Sequence, residues 1–326
     1  MGPQVTDLYP LKLAPKLVPK PWGRPDLTPF YGMQSEPIGE AWFHFEENNV
    51  TDGPLAGESI AKLMVEYGKG LMGSSWTPLS LQRTSAGDIP DGGASQPYFP
   101  ILTTRLFTEE SLSVQVHPND DYAFAKTGGA GKTEMWHVVD ARPGSRVALG
   151  LTEPLVGKDL AEAAQSGEIE QYLNWIEVRK GDTLFVAAGL VHALDKGLTL
   201  CEIQQNSDIT YRFYDWRRRD AAGNPRELHI EDAVNCIRHD LNPQTPSDGS
   251  RIASCHYFEV DRLEWTETFE FNVDPTRSEL LIVIEGQGSL AAQRFEMGDA
   301  FLIPATVSNF SVQPEGRVTI VRAFRP

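Results

Sequence analysis

Two side chains that could bind a metal ion, Gln115 and His117, lie two residues apart in the segment LSVQVHPND. In a β-strand, residues i and i+2 point to the same face, so Gln115 and His117 would project together. Leu112, Val114 and Val116 would then line the opposite, apolar face. The pattern predicts a strand that packs one side into a core and presents an oxygen and a nitrogen donor on the other. A metal ion is the leading candidate ligand.

Two further donors occur downstream, Glu134 in GKTEMWHVV and His192 in GDTLFVAAGLVHAL. Two imidazoles, a carboxylate and an amide oxygen suit zinc or another divalent first-row ion. Each donor is weak evidence by itself, because a single histidine in a strand is more often structural. Strand alternation separates the candidates: Glu134 and Trp136 would share one face and His137 the other, so we interpret His137 as structural.

A third block, TLCEIQQNSDITYRFYDWRRR, carries more charged side chains. Glu202 and Gln204 would share a strand face, and Arg212 follows ten residues after Glu202. Glu202 and Arg212 could form an ion pair that braces neighbouring strands. Alternatively, Arg212 could stabilise charge on a substrate oxygen, with Lys132 as a second cation. The arginines at 217–219 are read mainly as a turn, with a phosphate anchor as the alternative.

The elements that must position these residues are mostly short strands. From about Gly39 onward, β-like runs are separated by Gly, Pro and Asn-Asp turns, which predicts a mainly β sandwich or barrel. Helical patterns are local: one insertion near 157–177, split at Gly167, and one helix in RELHIEDAVNCIR. The proline-rich residues 1–35 predict an extended arm on the surface.

The last part of the chain repeats the first. Residues 180–194 align with 297–311, which places His192 opposite Asn309, and a second block places Glu134 opposite Glu279. Any two Gly-Asp hairpins look alike, but two blocks in the same order favour a duplication. An amide in place of an imidazole should weaken transition-metal binding. We therefore expect a metal-binding catalytic domain at 1–240, a linker at 241–250 and a degenerate domain without metal at 251–326.

Bulk composition excludes several partners. The chain has 29 basic and 45 acidic residues, a net charge of −16, which would repel nucleic acid and anionic membranes. Three cysteines without CxxC spacing form neither a disulfide framework nor a thiolate metal site. The sequence shows no secretory leader and no apolar run of membrane-spanning length, so we expect a cytoplasmic protein.

The motifs SVQVHPND, GKTEMWHV, GLVHAL and NSDITYRFYDW together resemble those of the type I mannose-6-phosphate isomerases, in their short bacterial form. The resemblance spans the first 240 residues. It implies a double cupin fold with short helical insertions, a single zinc ion and interconversion of mannose 6-phosphate and fructose 6-phosphate. By motif, the zinc ligands are Gln115, His117, Glu134 and His192, the catalytic arginine is Arg212, and Lys132, Glu202 and Asp208 match other active-site positions. We expect Lys132 and Glu202 to be catalytic together with Arg212, and Ser113, Asp208 and Arg218 to be substrate-binding.

The residues rationalise such an isomerisation. A proton must move between C2 and C1 of the sugar, and Arg212 and Lys132 would stabilise the negative oxygen that develops. The base could be Glu202 or a metal-bound water. Two other functions stay open: an iron-dependent cupin oxygenase, which the amide of Gln115 disfavours, and a non-catalytic sugar-phosphate-binding cupin. A monomer and a homodimer are both compatible with the sequence.

Overall fold

The computed structural model describes residues 8–76, 98–220, 222–241 and 250–326. Within these ranges the chain is mainly β with a few short helices, which confirms the predicted fold class. Except for its two end residues, the predicted linker at 241–250 lies outside the described part, and the domain division stays a prediction. Every helix in the described ranges is too short or too polar to span a lipid bilayer.

Twelve strands precede the predicted linker. In chain order they are β1 (Leu11–Lys12), β2 (Lys16–Asp26), β3 (Met33–Phe43), β4 (Ile101–Phe107), β5 (Val114–Val116), β6 (Glu134–Ala141), β7 (Arg146–Leu151), β8 (Leu173–Glu177), β9 (Thr183–Val186), β10 (His192–Leu194), β11 (Leu198–Gln205) and β12 (Tyr211–Tyr214). The strands that follow it are β13 (Arg251–Ser254), β14 (Glu259–Trp265), β15 (Phe269–Phe271), β16 (Glu279–Glu285), β17 (Gln287–Leu290), β18 (Gln293–Glu296), β19 (Ala300–Ile303), β20 (Phe310–Pro314) and β21 (Val318–Phe324). The helices are α1 (Ile60–Tyr67), α2 (Lys69–Met72), α3 (Asp120–Thr127), α4 (Gly157–Ser166), α5 (Ile169–Tyr172) and α6 (Ile230–Cys236).

The strands form four sheets. Sheet I has the order β2-β3-β4-β11-β6-β9 and sheet II the order β12-β5-β10-β7-β8. These two sheets pack face to face around an apolar core that includes Leu106, Trp136 and Leu200 from sheet I and Val147 and Leu149 from sheet II. We call this unit the N-terminal barrel. Sheet III (β1-β19-β16-β21-β14-β13) and sheet IV (β15-β20-β17-β18) form the C-terminal barrel.

Helices α4 and α6 cover the outer face of sheet II. Val114 and Val116 pack there against Leu160 of α4 and Ala233 of α6. The predicted insertion is helical up to Tyr172 and breaks after α4 as expected, because Gly167 adopts a left-handed conformation with φ 84°. Its last residues, 173–177, were predicted helical but form β8, since they pair with β7 at the edge of sheet II.

The two barrels share one apolar interface between the outer face of sheet I and sheet III. Polar contacts cross it as well: Arg105 Nη2 donates to the carbonyl of Val283 at 3.2 Å. His44 Nε2 lies 3.0 Å from the carbonyl oxygen of Phe301. Both side chains are buried. The interface therefore combines close packing with hydrogen bonds that fix one barrel against the other.

The described part of the N-terminal arm is extended and mostly exposed or half-buried, as predicted, but its strands also belong to the sheets of the barrels. Strand β1 pairs with β19, with Leu11 opposite Leu302, so it belongs to the C-terminal barrel. Strand β2 then pairs with β3 in the N-terminal barrel. Leu11 and Trp22 are buried because each strand turns an apolar side chain into a core. The arm therefore contributes to both barrels.

Candidate metal centre and active site

Sheet II positions the first two donors. Because Val114 and Val116 are buried under the helices, Gln115 between them faces the barrel interior. Strands β10 and β12 flank β5, and their residues His192 and Arg212 both lie opposite Gln115. The amide, one imidazole and the guanidinium therefore start from adjacent positions on the inner face.

Sheet I supplies the carboxylate. Glu134 begins β6, and its side chain meets two histidines from sheet II and the loop after β5. His117 Nε2 lies 3.6 Å from Glu134 Oε2, and His192 Nε2 lies 3.6 Å from Glu134 Oε1. One ligand atom from each residue falls within 4.8 Å of the others. The structure therefore brings together three of the four predicted metal ligands as one buried cluster.

Both imidazoles are oriented by backbone carbonyls. His117 Nδ1 lies 2.9 Å from the carbonyl of Ile209, and His192 Nδ1 lies 2.9 Å from that of Leu190. These bonds place the ring proton on Nδ1, so Nε2 carries no proton and its lone pair is available as a metal ligand. Burial lowers the pKa of His192 to about 4 and holds that of His117 well below its usual value. Both rings are then neutral at physiological pH, which is the form that binds a metal.

Gln115 completes the set of four. Its Nε2 lies 3.2 Å from His192 Nε2, while Ser113 donates to its Oε1 at 3.1 Å. A half-turn of the amide about its Cγ–Cδ bond would present the oxygen to the cluster and Nε2 to the Ser113 hydroxyl, which can accept as well as donate. Ser113, predicted as a substrate-binding residue, is buried against Gln115 in this structure.

The donor set fits a divalent cation. Glu134 is fully buried, and its Oε2 faces the Lys132 ammonium in an ion pair. A buried carboxylate oxygen is costly unless a cation compensates it. Lys132 Nζ lies 3.1 Å from this oxygen and 3.3 Å from His117 Nε2. Burial lowers the pKa of Lys132, but Glu134 and Glu202 outweigh that effect and raise it to about 12, so the ammonium stays charged.

Glu202 lies on the same inner face, held by two neighbours. Thr104 Oγ1 donates to its Oε2 at 2.6 Å, and Trp136 Nε1 donates to its Oε1 at 3.0 Å. Burial, and then the charge of Glu134, raise the pKa of Glu202 to about 7. No ion pair joins Glu202 to Arg212, although the structure describes both residues; Glu202 instead accepts from Thr104 and Trp136. No local pattern in the sequence pointed to Thr104, which is one threonine in a fully buried strand.

Only part of the Arg212 guanidinium is used in hydrogen bonds to the described residues. Its Nη1 donates to the carbonyl of Glu227 at 3.2 Å. Its Nε is buried and makes no hydrogen bond within the described residues. Burial, followed by the nearby Arg226, lowers the pKa of Arg212. The guanidinium therefore retains donor capacity on the inner side of sheet II.

The other predicted substrate-binding residues lie apart from the cluster. Arg218 pairs with Asp215 at 3.2 Å and donates to the carbonyl of Ser111 at 2.6 Å. Asp208 is exposed in the loop before β12. No hydrogen bond or ion pair in the described ranges joins either residue to the metal ligands. Of the arginines at 217–219, Arg217 lies in a turn with Trp216, as the favoured interpretation predicts, and Arg219 forms an isolated β-bridge with Pro225.

His137 also lies apart, as the strand alternation predicts. Its Nδ1 lies 2.9 Å from Thr183 Oγ1 on the opposite face of sheet I. Burial lowers the pKa of His137 to about 4. A neutral, hydrogen-bonded histidine of this kind is structural.

The C-terminal barrel has different residues at the equivalent positions. Glu279 begins β16 as Glu134 begins β6, and it is fully buried. Arg322 Nη2 donates to its Oε1 at 2.6 Å. Asn309, the counterpart of His192, donates to Asn272 Oδ1 at 3.0 Å. The buried glutamate of this barrel is therefore paired with a guanidinium, and an amide stands where the N-terminal barrel has the imidazole of His192.

Comparison with known proteins agrees with this geometry. A family model described as mannose-6-phosphate isomerase, cupin domain, matches residues 250–324. The mannose-6-phosphate isomerase ManA of Bacillus subtilis is 32% identical over 324 residues, which are 93% of this chain and 96% of that protein. The mannose-6-phosphate isomerase of Streptococcus mutans is 30% identical over 331 residues, 96% of this chain and 97% of that protein.

Solved structures show the same relationship. The crystal structure of the mannose 6-phosphate isomerase from Bacillus subtilis superposes with a TM-score of 0.81 at 30% identity, covering 97% of this chain and 99% of that one. A variant of phosphomannose isomerase from Salmonella typhimurium has a TM-score of 0.70 at 15% identity, covering 97% of this chain and 99% of that one, and supports the fold alone. The chain belongs to the mannose-6-phosphate isomerase family.

Proposed function

We propose that this protein is an aldose–ketose isomerase that interconverts mannose 6-phosphate and fructose 6-phosphate. The observation that carries the proposal is the buried cluster of His117, Glu134 and His192 with Lys132 and Glu202 beside it, in a chain of this family. The substrate is taken from the names of the relatives. The cluster agrees with it, because isomerisation needs a polarising centre and a group that can move a proton.

The proposed cofactor is one zinc ion per chain. His117, Glu134, His192 and Gln115 would hold it, and an ion bound there would polarise a sugar oxygen without changing its oxidation state. The two backbone-anchored imidazoles support this assignment, since each presents an unprotonated Nε2 to the cluster, where Lys132 contacts that of His117 and Gln115 that of His192. Two nitrogen and two oxygen donors suit zinc, and other divalent first-row ions fit nearly the same set.

We assign the proton transfer to Glu202. As a carboxylate it would take the proton from C2 of the aldose; the C–H electron pair then forms the C1–C2 double bond and the carbonyl electrons move to O1. Return of the proton to C1, with transfer of the O2 proton to O1, gives the ketose. A pKa of about 7 lets Glu202 both accept and return a proton near neutral pH.

Lys132 and Arg212 would stabilise the oxygen charge of the enediolate. Arg212 lies opposite Gln115 in the strand register of sheet II, and Lys132 lies next to the carboxylate ligand. In a buried site, a fixed cation stabilises developing charge more strongly than water does. Ser113, Asp208 and Arg218 stay predictions as substrate-binding residues.

The decisive experiment is a coupled isomerase assay with mannose 6-phosphate on the purified protein, before and after chelation. We expect turnover to disappear on chelation and to return with zinc at one ion per chain. The same measurement with manganese, cobalt, nickel and iron identifies the metal that restores most activity. Turnover that survives complete metal removal would contradict the metal assignment, and no turnover in any metal-loaded form would contradict the function.

A further inference from the structure

Three adjacent strands of sheet I hold one carboxyl group by both of its oxygens. Glu202 on β11 lies opposite Thr104 on β4 and opposite Trp136 on β6. The three side chains therefore form one row on the inner face of the barrel. All three are buried, with exposed fractions of 3% for Thr104, 1% for Trp136 and 5% for Glu202. Water cannot easily replace either partner.

The two partners differ in what they can do. The indole N–H of Trp136 is a donor only, so Glu202 Oε1 must remain an acceptor. The hydroxyl of Thr104 can donate to a carboxylate and can accept from a carboxylic acid. When Glu202 takes up a proton, Oε2 is therefore the oxygen that carries it, and Thr104 reverses its hydrogen bond. The pair fixes both the plane of the carboxyl group and the oxygen that exchanges the proton.

Trp136 also ties this carboxyl to the metal cluster. Its ring packs edge-on against the ring of His192, with centroids 5.5 Å apart. It lies two residues after Glu134 on the same strand face. The distance between Glu202 and the metal ligands is therefore set by packing within the barrel and not by a flexible loop.

We propose that Thr104 and Trp136 are positioning residues that hold the Glu202 carboxyl in its reactive orientation, with Thr104 as the partner that follows its change of protonation. The inference rests on the proposed function, because it takes Glu202 as the group that moves the proton. It adds two residues to that machinery which do not themselves touch the substrate. Loss of a hydrogen bond that orients a functional side chain from outside the site typically lowers activity by about 10–100-fold.

The test compares Thr104→Val with Thr104→Ser in the metal-loaded enzyme. Valine keeps the shape and loses the hydroxyl, so we expect kcat to fall by about tenfold or more, with KM and metal content nearly unchanged. The acidic limb of the kcat/KM profile should move to higher pH, because the carboxylate has lost a donor while Glu134 and Lys132 still face it. Serine should restore most of the loss. Wild-type kcat and an unshifted profile in Thr104→Val would overturn the inference.

A double-mutant cycle separates this role from a general packing effect. In a Glu202→Gln background, Thr104→Val should cost little more, since there is no longer a carboxylate to hold. An equal loss in both backgrounds would mean that Thr104 acts elsewhere, and would refute the proposal. Should Thr104→Val fold poorly, Trp136→Phe removes the other donor and should move the acidic limb in the same direction. An unmoved limb in that variant would count against the proposal.

A measurement independent of turnover keeps the two proposals distinguishable. The ¹³C carboxyl resonance of Glu202 is identified by its absence in Glu202→Gln. Its titration midpoint should lie at higher pH in Thr104→Val than in the wild type and in Thr104→Ser. If the wild type proved inactive, the proposed function would fail, but this shift would still support the role of Thr104 in holding the Glu202 carboxyl. Equal midpoints in all three proteins would refute it.

Discussion

Both barrels bury the charge of a glutamate, but different side chains surround that charge. Each buries a glutamate at the first residue of the corresponding strand, Glu134 opposite Val186 and Glu279 opposite Ile303. Each also has a cationic side chain two residues earlier, Lys132 and Arg277. A buried carboxylate needs a cation, and the shared scaffold provides the positions from which one can come.

The two barrels differ in the other side chains that contact the buried glutamate. Glu279 accepts from Arg322, which the strand register places at the position of Glu202 in the other barrel. Glu134 instead faces two neutral imidazoles, with the Lys132 ammonium 3.1 Å from its Oε2. The guanidinium of Arg322 pairs with Oε1 of Glu279 and leaves Oε2 without a hydrogen bond in the described ranges. The two barrels therefore differ chiefly in their imidazoles: Asn309 replaces His192, and a neutral imidazole is a ligand that an exchangeable metal ion can use.

The largest expected effect comes from making the N-terminal barrel resemble the C-terminal one. His192→Asn places there the amide that the second barrel has at Asn309. We expect the purified protein to lose its metal and turnover to fall by at least about 100-fold. Metal analysis and the isomerase assay measure both. Asn309→Ala is the matched control and should keep one ion per chain, so metal loss in the control would break the comparison.

Arg212→Ala should have the next largest effect. Loss of the cation that we propose stabilises the developing oxyanion should lower kcat by about 100–1,000-fold, with metal content unchanged because Arg212 is not among the proposed ligands. Arg294, an exposed arginine of the C-terminal barrel paired with Glu315, serves as the control. Near-normal turnover in Arg212→Ala would remove its proposed catalytic role.

Removing the cation that pairs with the buried glutamate of the C-terminal barrel should lower the stability of the protein and leave its isomerase activity unchanged. Arg322→Met leaves Glu279 buried without its main donor, and we expect a loss of about 2 kcal/mol in the free energy of unfolding. This is less than for a fully buried pair, because the Arg322 side chain is 23% exposed. Denaturant unfolding measures it. Adding Glu279→Gln should recover part of the loss, and a large drop in isomerase activity would contradict the division of roles between the barrels.

The effect that is smallest near neutral pH concerns the junction of the barrels. Burial lowers the pKa of His44 to about 4, against about 6.5 in an unfolded chain. The unfolded state therefore takes up the proton first, and stability falls as the pH drops from about 6.5 to 4, by roughly 1 kcal/mol per pH unit from this group. Unfolding measured across this range should show a shallower slope for His44→Gln. Equal slopes would show that His44 titrates normally.

Local patterns predicted much of the site. The alternation around Gln115 and His117 identified the inner face of β5, and the same argument excluded His137. Gly167 predicted the break between α4 and α5. Two helices went unnoticed although their caps are visible in the sequence: Ser59 caps α1, and Asn119 caps α3. In α3 no strong apolar period accompanies the cap, whereas in α1 Ile60, Leu63, Met64 and Tyr67 recur at helical spacing and are all buried, so that helix was predictable.

The remaining features depend on which strands become neighbours. Residues 173–177 read as helix because the pattern before them is helical, and only pairing with β7 makes them a strand. Thr104 is important because it lies opposite Glu202, 98 residues further along the chain. No local sequence pattern reveals such a strand register. Likewise, the pairing of Leu11 with Leu302 could not be read from the arm itself.

That last pairing has a consequence for how the protein is made. Strand β1 leaves the ribosome long before β19, so the C-terminal barrel cannot complete sheet III until the earliest described strand meets one of the latest. Such a contact joins nearly opposite ends of the chain and is expected to form late in folding. Until then β19 is an open edge that can pair with another molecule. A fragment that starts after residue 240 would keep this edge exposed, and we expect it to aggregate unless a peptide covering residues 8–14 is supplied in trans.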